Sequence, residues 1–236
     1  MFFNKKKKQV MQAVARKLIT RANPKSVISE QFRTLRTNVN FSMPDESLQS
    51  LLITSASPSE GKSTVAANTA VVFAQEGKKV LLIDADMRKP TVHYTFHMTN
   101  TLGLSNLLTR QASLADVTKM SDIDNLDVIT CGPIPPNPAE LLGSKTMDTI
   151  LQEVKQTYDI VIFDAPPVLS VTDAQILANK ADGTILVLYA GQTEKESIVR
   201  TKEALVASQG KLIGAVLNNY IMDKDHYYYQ YYGTEE

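Results

Sequence analysis

The stretch Leu51-Leu-Ile-Thr-Ser-Ala56-Ser-Pro-Ser-Glu-Gly61-Lys62-Ser63-Thr64 decides the fold. It begins as an apolar, strand-like run, crosses a loop of small and polar residues, and continues into a helical pattern that reaches Gln75. A loop between a strand and a helix points backbone N–H groups and the helix N-terminus at a bound phosphate. The pattern indicates a Walker A loop that binds ATP or GTP, although Ala56 replaces its usual first glycine.

Several side chains of this loop have a chemical task. Lys62 supplies a cation to the β and γ phosphates, and the Ser63 hydroxyl is a ligand for Mg²⁺. Asn218, which follows a strand-like run, is a candidate partner of the base, although a lone asparagine there is equally typical of a turn. The full set of predicted nucleotide-binding residues is Ser57, Glu60, Gly61, Lys62, Ser63, Thr64 and Asn218.

Two further apolar runs end in carboxylates. They are Val80-Leu-Leu-Ile-Asp84-Ala-Asp86-Met-Arg88 and Ile160-Val-Ile-Phe-Asp164-Ala-Pro-Pro167, of which the second has the form of a Walker B strand. Carboxylates grouped beside nucleotide phosphates require a divalent cation to offset their repulsion, so Mg²⁺ is predicted with the nucleotide. Asp173 and Asp182 are interpreted as helix caps or solvated turns.

The alternation of strands and helices predicts an α/β fold with a doubly wound, mostly parallel sheet, that of a P-loop NTPase of the deviant Walker type. Because several strands are almost continuously apolar, helices should cover both faces of the sheet. The predicted strands are Leu51–Thr54, Val80–Ile83, Leu126–Thr130, Ile160–Phe163, Ile185–Tyr189 and Leu212–Leu217. The clearest predicted helices are Ser26–Phe41, Gly61–Gln75, Ala139–Thr157 with a break near Ser144, and Glu194–Ser208.

Composition narrows the classes of partner. The chain has 236 residues, 43% of them hydrophobic, and 25 Lys and Arg against 25 Asp and Glu, so no overall basic charge favours nucleic acid as a partner. A single cysteine, Cys131, excludes an intrachain disulfide framework. No apolar run reaches the roughly 18 residues of a membrane span, and a cytoplasmic location is expected. The run Lys5–Lys8 is either a solvated arm or a segment attracted to anionic lipid or an acidic partner.

The three motifs, in this order, resemble those of the bacterial tyrosine kinases known as BY-kinases. The chain is similar in particular to the separate cytoplasmic kinase subunits of Gram-positive capsule and exopolysaccharide systems. The resemblance runs from about Ser26 to the C-terminus. It also rests on Glu30-Gln-Phe-Arg33-Thr-Leu-Arg36, Gly132-Pro-Ile-Pro-Pro-Asn-Pro138 with Glu140-Leu-Leu142, and a terminal cluster of tyrosines.

This resemblance implies an ATP- and Mg²⁺-dependent protein tyrosine kinase. Lys62 would bind the phosphates, Asp84 would lie beside the incoming tyrosine hydroxyl, and Asp86 and Asp164 would support the metal and its water ligands. The implied catalytic residues are thus Lys62, Asp84, Asp86 and Asp164, and the implied metal residues are Ser63, Asp86 and Asp164. The implied autophosphorylation sites are Tyr227, Tyr228, Tyr229, Tyr231 and Tyr232.

The resemblance also implies partners. A membrane protein would activate the kinase through its cytoplasmic segment and recruit it to the inner face of the membrane, and other proteins would serve as tyrosine substrates. Glu30, Arg33 and Arg36 would join subunits into a ring, although their spacing alone predicts a ladder of i,i+3 ion pairs. The expected division is a basic N-terminal arm over 1–25, the kinase domain over 26–219 and a flexible tyrosine tail over 220–236.

Two alternatives belong to other functional classes. ATPases of the partitioning class carry a second lysine early in the loop, where this chain has Ser57, so their dimer-activated hydrolysis is not expected. A nucleotide-gated scaffold would use the tyrosine tail only to dock a partner. Formation of phosphotyrosine separates the kinase from both.

Overall fold

A seven-stranded sheet forms the centre of the protein in the computed structural model, which describes residues 16–43 and 48–221. The strands are β1 Ser50–Ser55, β2 Val80–Asp84, β3 Thr118–Met120, β4 Leu126–Ile129, β5 Ile160–Asp164, β6 Gly183–Tyr189 and β7 Leu212–Asn218. Their order is β3-β4-β2-β5-β1-β6-β7. Only β3 is antiparallel to its neighbour, so the predicted doubly wound, mostly parallel sheet is confirmed.

The helices pack on both faces of this sheet. They are α1 Ile19–Ala22, α2 Val27–Phe41, α3 Lys62–Gln75, α4 Val92–Thr95, α5 Leu104–Leu108, α6 Leu114–Val117, α7 Pro138–Leu142, α8 Lys145–Thr157, α9 Asp173–Lys180 and α10 Lys195–Ala207. The predicted break near Ser144 is confirmed, because Gly143 ends α7 and the Ser144 hydroxyl accepts the N–H of Met147 at 3.3 Å to cap α8.

The hydrophobic core has two layers, one on each face. Leu52 packs with α5, α8 and α9, whereas Leu51 and Ile53 pack with α2 and α3, as the alternation of side chains along a strand requires. This two-sided burial explains why the strands are almost continuously apolar. Helix α3 is buried around nearly its whole circumference, which places its first residue, Lys62, at the centre of the sheet edge.

The structure adds elements that the sequence did not predict. Strand β3 and helices α1, α4, α5 and α6 are three to five residues long, too short for a periodic pattern to indicate them. Helix α9 was also not predicted, although it is eight residues long. Among the described residues, no helix is both long and apolar enough to span a membrane.

Part of the segment assigned to a basic arm packs on the domain. Thr20 of α1 is fully buried, and its N–H and hydroxyl donate to Asn68 Oδ1 at 3.1 and 2.9 Å. Asn68 belongs to α3, so α1 lies against the helix that carries Lys62. The lysine run Lys5–Lys8 and the tyrosine cluster lie outside the described residues, and the division into domains stays a prediction.

Candidate active site

The phosphate loop makes a tight turn between β1 and α3. Ser59 and Gly61 have φ angles of 67° and 95°, in the left-handed region that favours glycine. A Cβ at Gly61 would lie 2.0 Å from Asn218 Nδ2. Glycine is therefore required at position 61 both by the backbone angle and by its neighbour.

Bonds within the protein fix the shape of the loop. Glu60 is almost fully buried; its carboxylate accepts the N–H of Ser57 at 2.8 Å and the hydroxyl of Thr193 at 2.6 Å. Asn218 Nδ2 donates to the carbonyl of Glu60 at 2.9 Å. The Glu60 side chain thus points into the loop, and the Asn218 side chain lies against the loop backbone. The contacts of Ser57, Glu60 and Asn218 with a nucleotide stay a prediction.

The three predicted motifs meet at one end of the sheet. Asp84 and Asp164 are direct neighbours in the register of β2 and β5. Lys62 Nζ donates to Asp86 Oδ2 at 2.7 Å, to Asp164 Oδ1 at 3.3 Å and to Ser63 Oγ at 3.3 Å. The structure therefore brings all four predicted catalytic residues and Ser63 together.

Charge and burial shift the pKa values of this cluster. Burial alone would lower the pKa of Lys62, but Asp164 and Asp86 outweigh burial and raise it, so the ammonium stays charged at neutral pH. Burial raises the pKa of Asp164. Burial, followed by the charge of Asp164, raises the pKa of Asp84 well above its usual range, against the opposing effect of the N–H of Val92.

The donor atoms fit a magnesium ion that arrives with a nucleotide. Asp84 Oδ1 and Asp164 Oδ2 are buried and have no hydrogen-bond partner within the described structure. Asp164, together with Ser63 and Asp86, offers only oxygen ligands, which Mg²⁺ prefers. Across residues 16–43 and 48–221, no group of three or more His, Cys, Asp or Glu side chains is suited to hold a metal by itself. Mg²⁺ in nucleotide sites is usually bound by one or two carboxylates together with phosphate oxygens and water, so a complete protein cage is not required.

A cleft of about 580 Å³ opens over the phosphate loop, within the range of about 300–1,000 Å³ typical of small-molecule sites. Of the predicted nucleotide-binding residues, its lining includes Gly61, Lys62, Ser63, Thr64 and Asn218. Arg16 and Arg88 also line the cleft. Arg16 was not predicted as a site residue, because it lies in the segment assigned to the basic arm.

One polar contact of the cleft was not predicted. The Nε and terminal N–H groups of Arg88 donate to both oxygens of Asp173, each at 2.9 Å. Asp173 is the first residue of α9, after the N-cap Thr172, and is fully buried, so the interpretation as a helix cap or solvated turn is wrong. No spacing in the sequence indicates this pair, because it depends on the paths of two separate loops.

The three residues predicted to join subunits all lie on α2. Arg33 forms an ion pair with Glu30 and donates to the carbonyl of Pro24 at 2.8 Å. Arg36 instead donates to the carbonyl of Val72 at 2.8 Å, near the C-terminus of α3, where helix carbonyls lack partners. The three residues therefore do not form a simple ladder, and their part in an oligomer stays a prediction.

Comparisons with known proteins place the chain in a family. Residues 59–204 match a family model described as an AAA domain. The tyrosine-protein kinase YwqD of Bacillus subtilis is 54% identical over 94% of this chain and 93% of its own length, and the putative tyrosine-protein kinase CapB of Staphylococcus aureus is 45% identical over 90% and 93%. The crystal structure of the chimerical protein CapA2B2 superposes with a TM-score of 0.84 at 43% identity, covering 88% of this chain and 93% of that one. The chain therefore belongs to the bacterial tyrosine-protein kinases, with the fold of a P-loop NTPase.

Proposed function

We propose that this kinase transfers the γ-phosphoryl group of Mg²⁺-bound ATP to tyrosine side chains, including those of its own C-terminal cluster. The observation that carries the proposal is the convergence of Lys62, Asp86 and Asp164 beside the phosphate loop, with Lys62 Nζ 2.7 Å from Asp86 and 3.3 Å from Asp164. Phosphoryl transfer depends mainly on positioning and charge neutralisation, so this cluster suffices without a covalent nucleophile.

Each residue of the cluster has a proposed task. Lys62, kept protonated by its carboxylate neighbours, binds the phosphates. Ser63, Asp86 and Asp164 hold Mg²⁺, which when bound neutralises charge on the phosphate oxygens. Ser57, Glu60, Gly61 and Thr64 shape the loop around the phosphates, and Asn218 contacts the base.

Asp84 receives the tyrosine proton late in the reaction. An ordinary aspartate and tyrosine differ by about 6 pKa units, which makes early proton transfer uphill by about 8 kcal/mol. The raised pKa of Asp84 narrows this gap. Its Oδ2 accepts the N–H groups of Thr91 and Val92 at 3.1 and 3.0 Å, so Oδ1, which is buried and without a partner here, is the oxygen that would take the proton once the phenol has access to it.

The acceptor tyrosines are Tyr227, Tyr228, Tyr229, Tyr231 and Tyr232, modified between subunits of a ring that Glu30, Arg33 and Arg36 help to form. The nine residues from Asn218 to Tyr227 reach about 30 Å when extended, enough for the cleft of a neighbouring subunit. Support also comes from the position of Asn218, which places the root of the tail at the edge of the sheet that carries the cleft.

The kinase acts in the cytoplasm at the inner face of the membrane, where the cytoplasmic segment of a membrane protein activates it. Its biological role is to regulate capsular or exopolysaccharide synthesis by phosphorylating proteins. The support for both statements is the resemblance to the kinase subunits of such systems.

The test is a phosphorylation assay with Mg²⁺ and labelled ATP, with and without a peptide of residues 220–236, and with an activator fragment present. The expected product is phosphotyrosine in the parent and none in Lys62→Met. Free phosphate alone would indicate an ATPase, and neither product a scaffold. Equal labelling of Lys62→Met and the parent would contradict the proposal.

A further inference from the structure

Arg88 and Asp173 form a bidentate ion pair, in which the Asp173 side chain is buried and the Arg88 side chain is partly exposed. Both Asp173 oxygens accept from Arg88 at 2.9 Å; the Asp173 side chain is 0% exposed and the Arg88 side chain 42% exposed. A buried carboxylate is costly unless it is paired and hydrogen-bonded, and this geometry supplies both. The guanidinium is therefore committed to Asp173, although it lines the nucleotide cleft.

The pair joins the loop after β2 to the start of α9. Arg88 lies in the loop after β2, which carries Asp86, and Asp173 is the first residue of α9, which follows the loop after β5. That second loop is also tied to β1, since the Thr54 hydroxyl donates to the carbonyl of Pro166 at 2.7 Å. Arg88 thus fastens the Asp86 loop to a segment that is already fixed to the centre of the sheet.

The consequence falls on Asp86. Its Oδ1 accepts the backbone N–H groups of Arg88 and Lys89 at 3.3 and 3.0 Å, and its Oδ2 accepts from Lys62 at 2.7 Å. The orientation of the carboxylate therefore depends on the peptide groups of residues 88 and 89. The position of those groups depends in turn on where the Arg88 side chain is held.

We propose that Arg88 and Asp173 act as a positioning pair for Asp86. The pair holds the loop after β2 so that Asp86 Oδ1 accepts the backbone donors, while Oδ2, which accepts from Lys62, would be the oxygen that helps to hold Mg²⁺. This inference rests on the proposed function, because it gives the pair a role toward the Mg²⁺ that accompanies the nucleotide.

The test measures the affinity for a fluorescent ADP analogue with Mg²⁺ and with EDTA in Arg88→Lys, Arg88→Gln, Asp173→Asn and the Gln/Asn double variant. Residues that orient a metal ligand cost about 10- to 100-fold in metal affinity when they are changed. We expect a loss of this size in the Mg²⁺-dependent affinity and none in EDTA. Arg88→Lys keeps the charge beside the buried carboxylate but cannot form two parallel bonds, so it should fold and still lose affinity.

Matched controls separate positioning from general stability. The pair of Arg21 with Asp122 is also an arginine–aspartate pair, at 2.6 Å, but its side chains are 47% and 65% exposed. Asp122→Asn should leave the Mg²⁺-dependent affinity unchanged. The double variant at positions 88 and 173 should lose no more than the more affected single variant, because the two residues act as one unit.

Two outcomes would overturn the proposal: full Mg²⁺-dependent affinity in the folded Arg88→Lys and Asp173→Asn variants, or equal losses with Mg²⁺ and with EDTA. Either outcome would mean that the pair does not position Asp86 for the metal. The parent kinase, assayed for phosphotyrosine with Mg²⁺, labelled ATP and the activator fragment, tests the proposed function separately. A parent that forms no phosphotyrosine but whose pair variants lose Mg²⁺-dependent affinity would refute the kinase proposal and support the positioning pair.

Discussion

Gly61 carries two constraints at the start of α3, and its replacement gives the first prediction. Gly61→Ala would place a Cβ 2.0 Å from Asn218 Nδ2 and a side chain at φ 95°. A left-handed angle alone costs about 1–2 kcal/mol in an L-residue, and displacement of Asn218 adds to this cost. We expect reduced stability in denaturant unfolding and a large loss of nucleotide affinity.

Gly77 provides the control for this prediction. Its φ is 93°, but a Cβ there would meet nothing within 4 Å, so Gly77→Ala measures the strain of the angle alone. The excess cost at position 61 should fall when Asn218→Ala is added. Equal costs of Gly61→Ala and Gly77→Ala would show that the contact with Asn218 does not matter.

Asp84 gives a prediction about the chemical step. Asp84→Asn keeps the size of the side chain, but its amide cannot accept the tyrosine proton. Nucleotide affinity should stay near that of the parent, while the transfer rate should fall by about 10²–10⁴-fold, the usual contribution of a general base. Single-turnover phosphorylation of a tail peptide measures the rate, and an unchanged rate would reject the role of Asp84.

The residues at strand ends could be predicted from the sequence, and their supporting contacts could not. Lys62, Asp86 and Asp164 follow apolar runs, and parallel strands bring such ends to one edge of the sheet. Thr193, which binds the carboxylate of Glu60, is 133 residues away from it in the chain. Its contact depends on the path of the loop after β6, which no local pattern determines.

The start of strand β1 is held by Asp182, which lies far from it in the chain; this set of contacts is called the Asp182 anchor. Asp182, just before β6, accepts the N–H groups of Gln49 and Ser50 at 3.0 and 2.8 Å and an ion pair from Lys155 of α8 at 2.8 Å. Burial alone would raise the pKa of Asp182, but these donors outweigh burial and lower it. The interpretation of Asp182 as a solvated turn is therefore wrong.

Asp182→Asn should accordingly destabilise the protein by about 1.5 kcal/mol or more at pH 7, since hydrogen bonds to a charged group are lost. A lowered carboxylate pKa contributes stability that is present above the unfolded pKa of about 3.9 and disappears as the pH falls through the folded pKa. The difference from the parent should therefore narrow below about pH 4. Urea unfolding of the parent and of Asp182→Asn between pH 3 and pH 7 measures this difference in the free energy of unfolding.

The comparison for this anchor is Asp122→Asn, which removes an exposed ion pair with Arg21. Such pairs contribute about 0–1 kcal/mol, so its effect should be small. The anchor would be contradicted if Asp182→Asn lowered the free energy of unfolding by no more than Asp122→Asn does. It would also be contradicted if the effect of Asp182→Asn did not change with pH.

Long elements were predicted well and short ones were not, for a physical reason. The six predicted strands are confirmed to within two residues at each end, and five of them are mostly buried in the sheet; β7, at the sheet edge, is half-buried to exposed. Strand β3 has three residues, two of them half-buried and one exposed, and pairs only with β4. Tertiary contacts, rather than a hydrophobic pattern, decide such a strand.

At the scale of the whole molecule, tail phosphorylation should loosen the oligomer. Each phosphate adds about −1.5 to −2 charges, so a modified cluster repels itself and the acidic, phosphate-loaded site. Sedimentation before and after incubation with ATP should show a smaller species in the parent and no change in Lys62→Met. A fully phosphorylated form that sediments like the unmodified one would refute this switch.

The nucleotide site could be predicted from the sequence because three motifs end at one sheet edge, whereas the family and the class of reaction came from the resemblance to the BY-kinases. The role of α2 in an oligomer could not be predicted from the sequence, because the sequence does not show which residues its charged side chains contact. Arg36 contacts Val72 within the same chain, and Glu76 lies 3.4 Å from its Nε. Whether these bonds open in an assembly depends on surfaces of more than one subunit.

The contact of Asn218 with the loop at Glu60 and Gly61 has a mechanical consequence. Asn218 ends β7 and its amide donates to the carbonyl of Glu60, so a displacement of the chain at this end of β7 would be transmitted to the phosphate loop. A subunit whose tail is gripped by a neighbour would then hold its own ATP differently from one whose tail is released. Nucleotide binding in the cleft and binding of the tail by a neighbouring subunit would then be mechanically coupled.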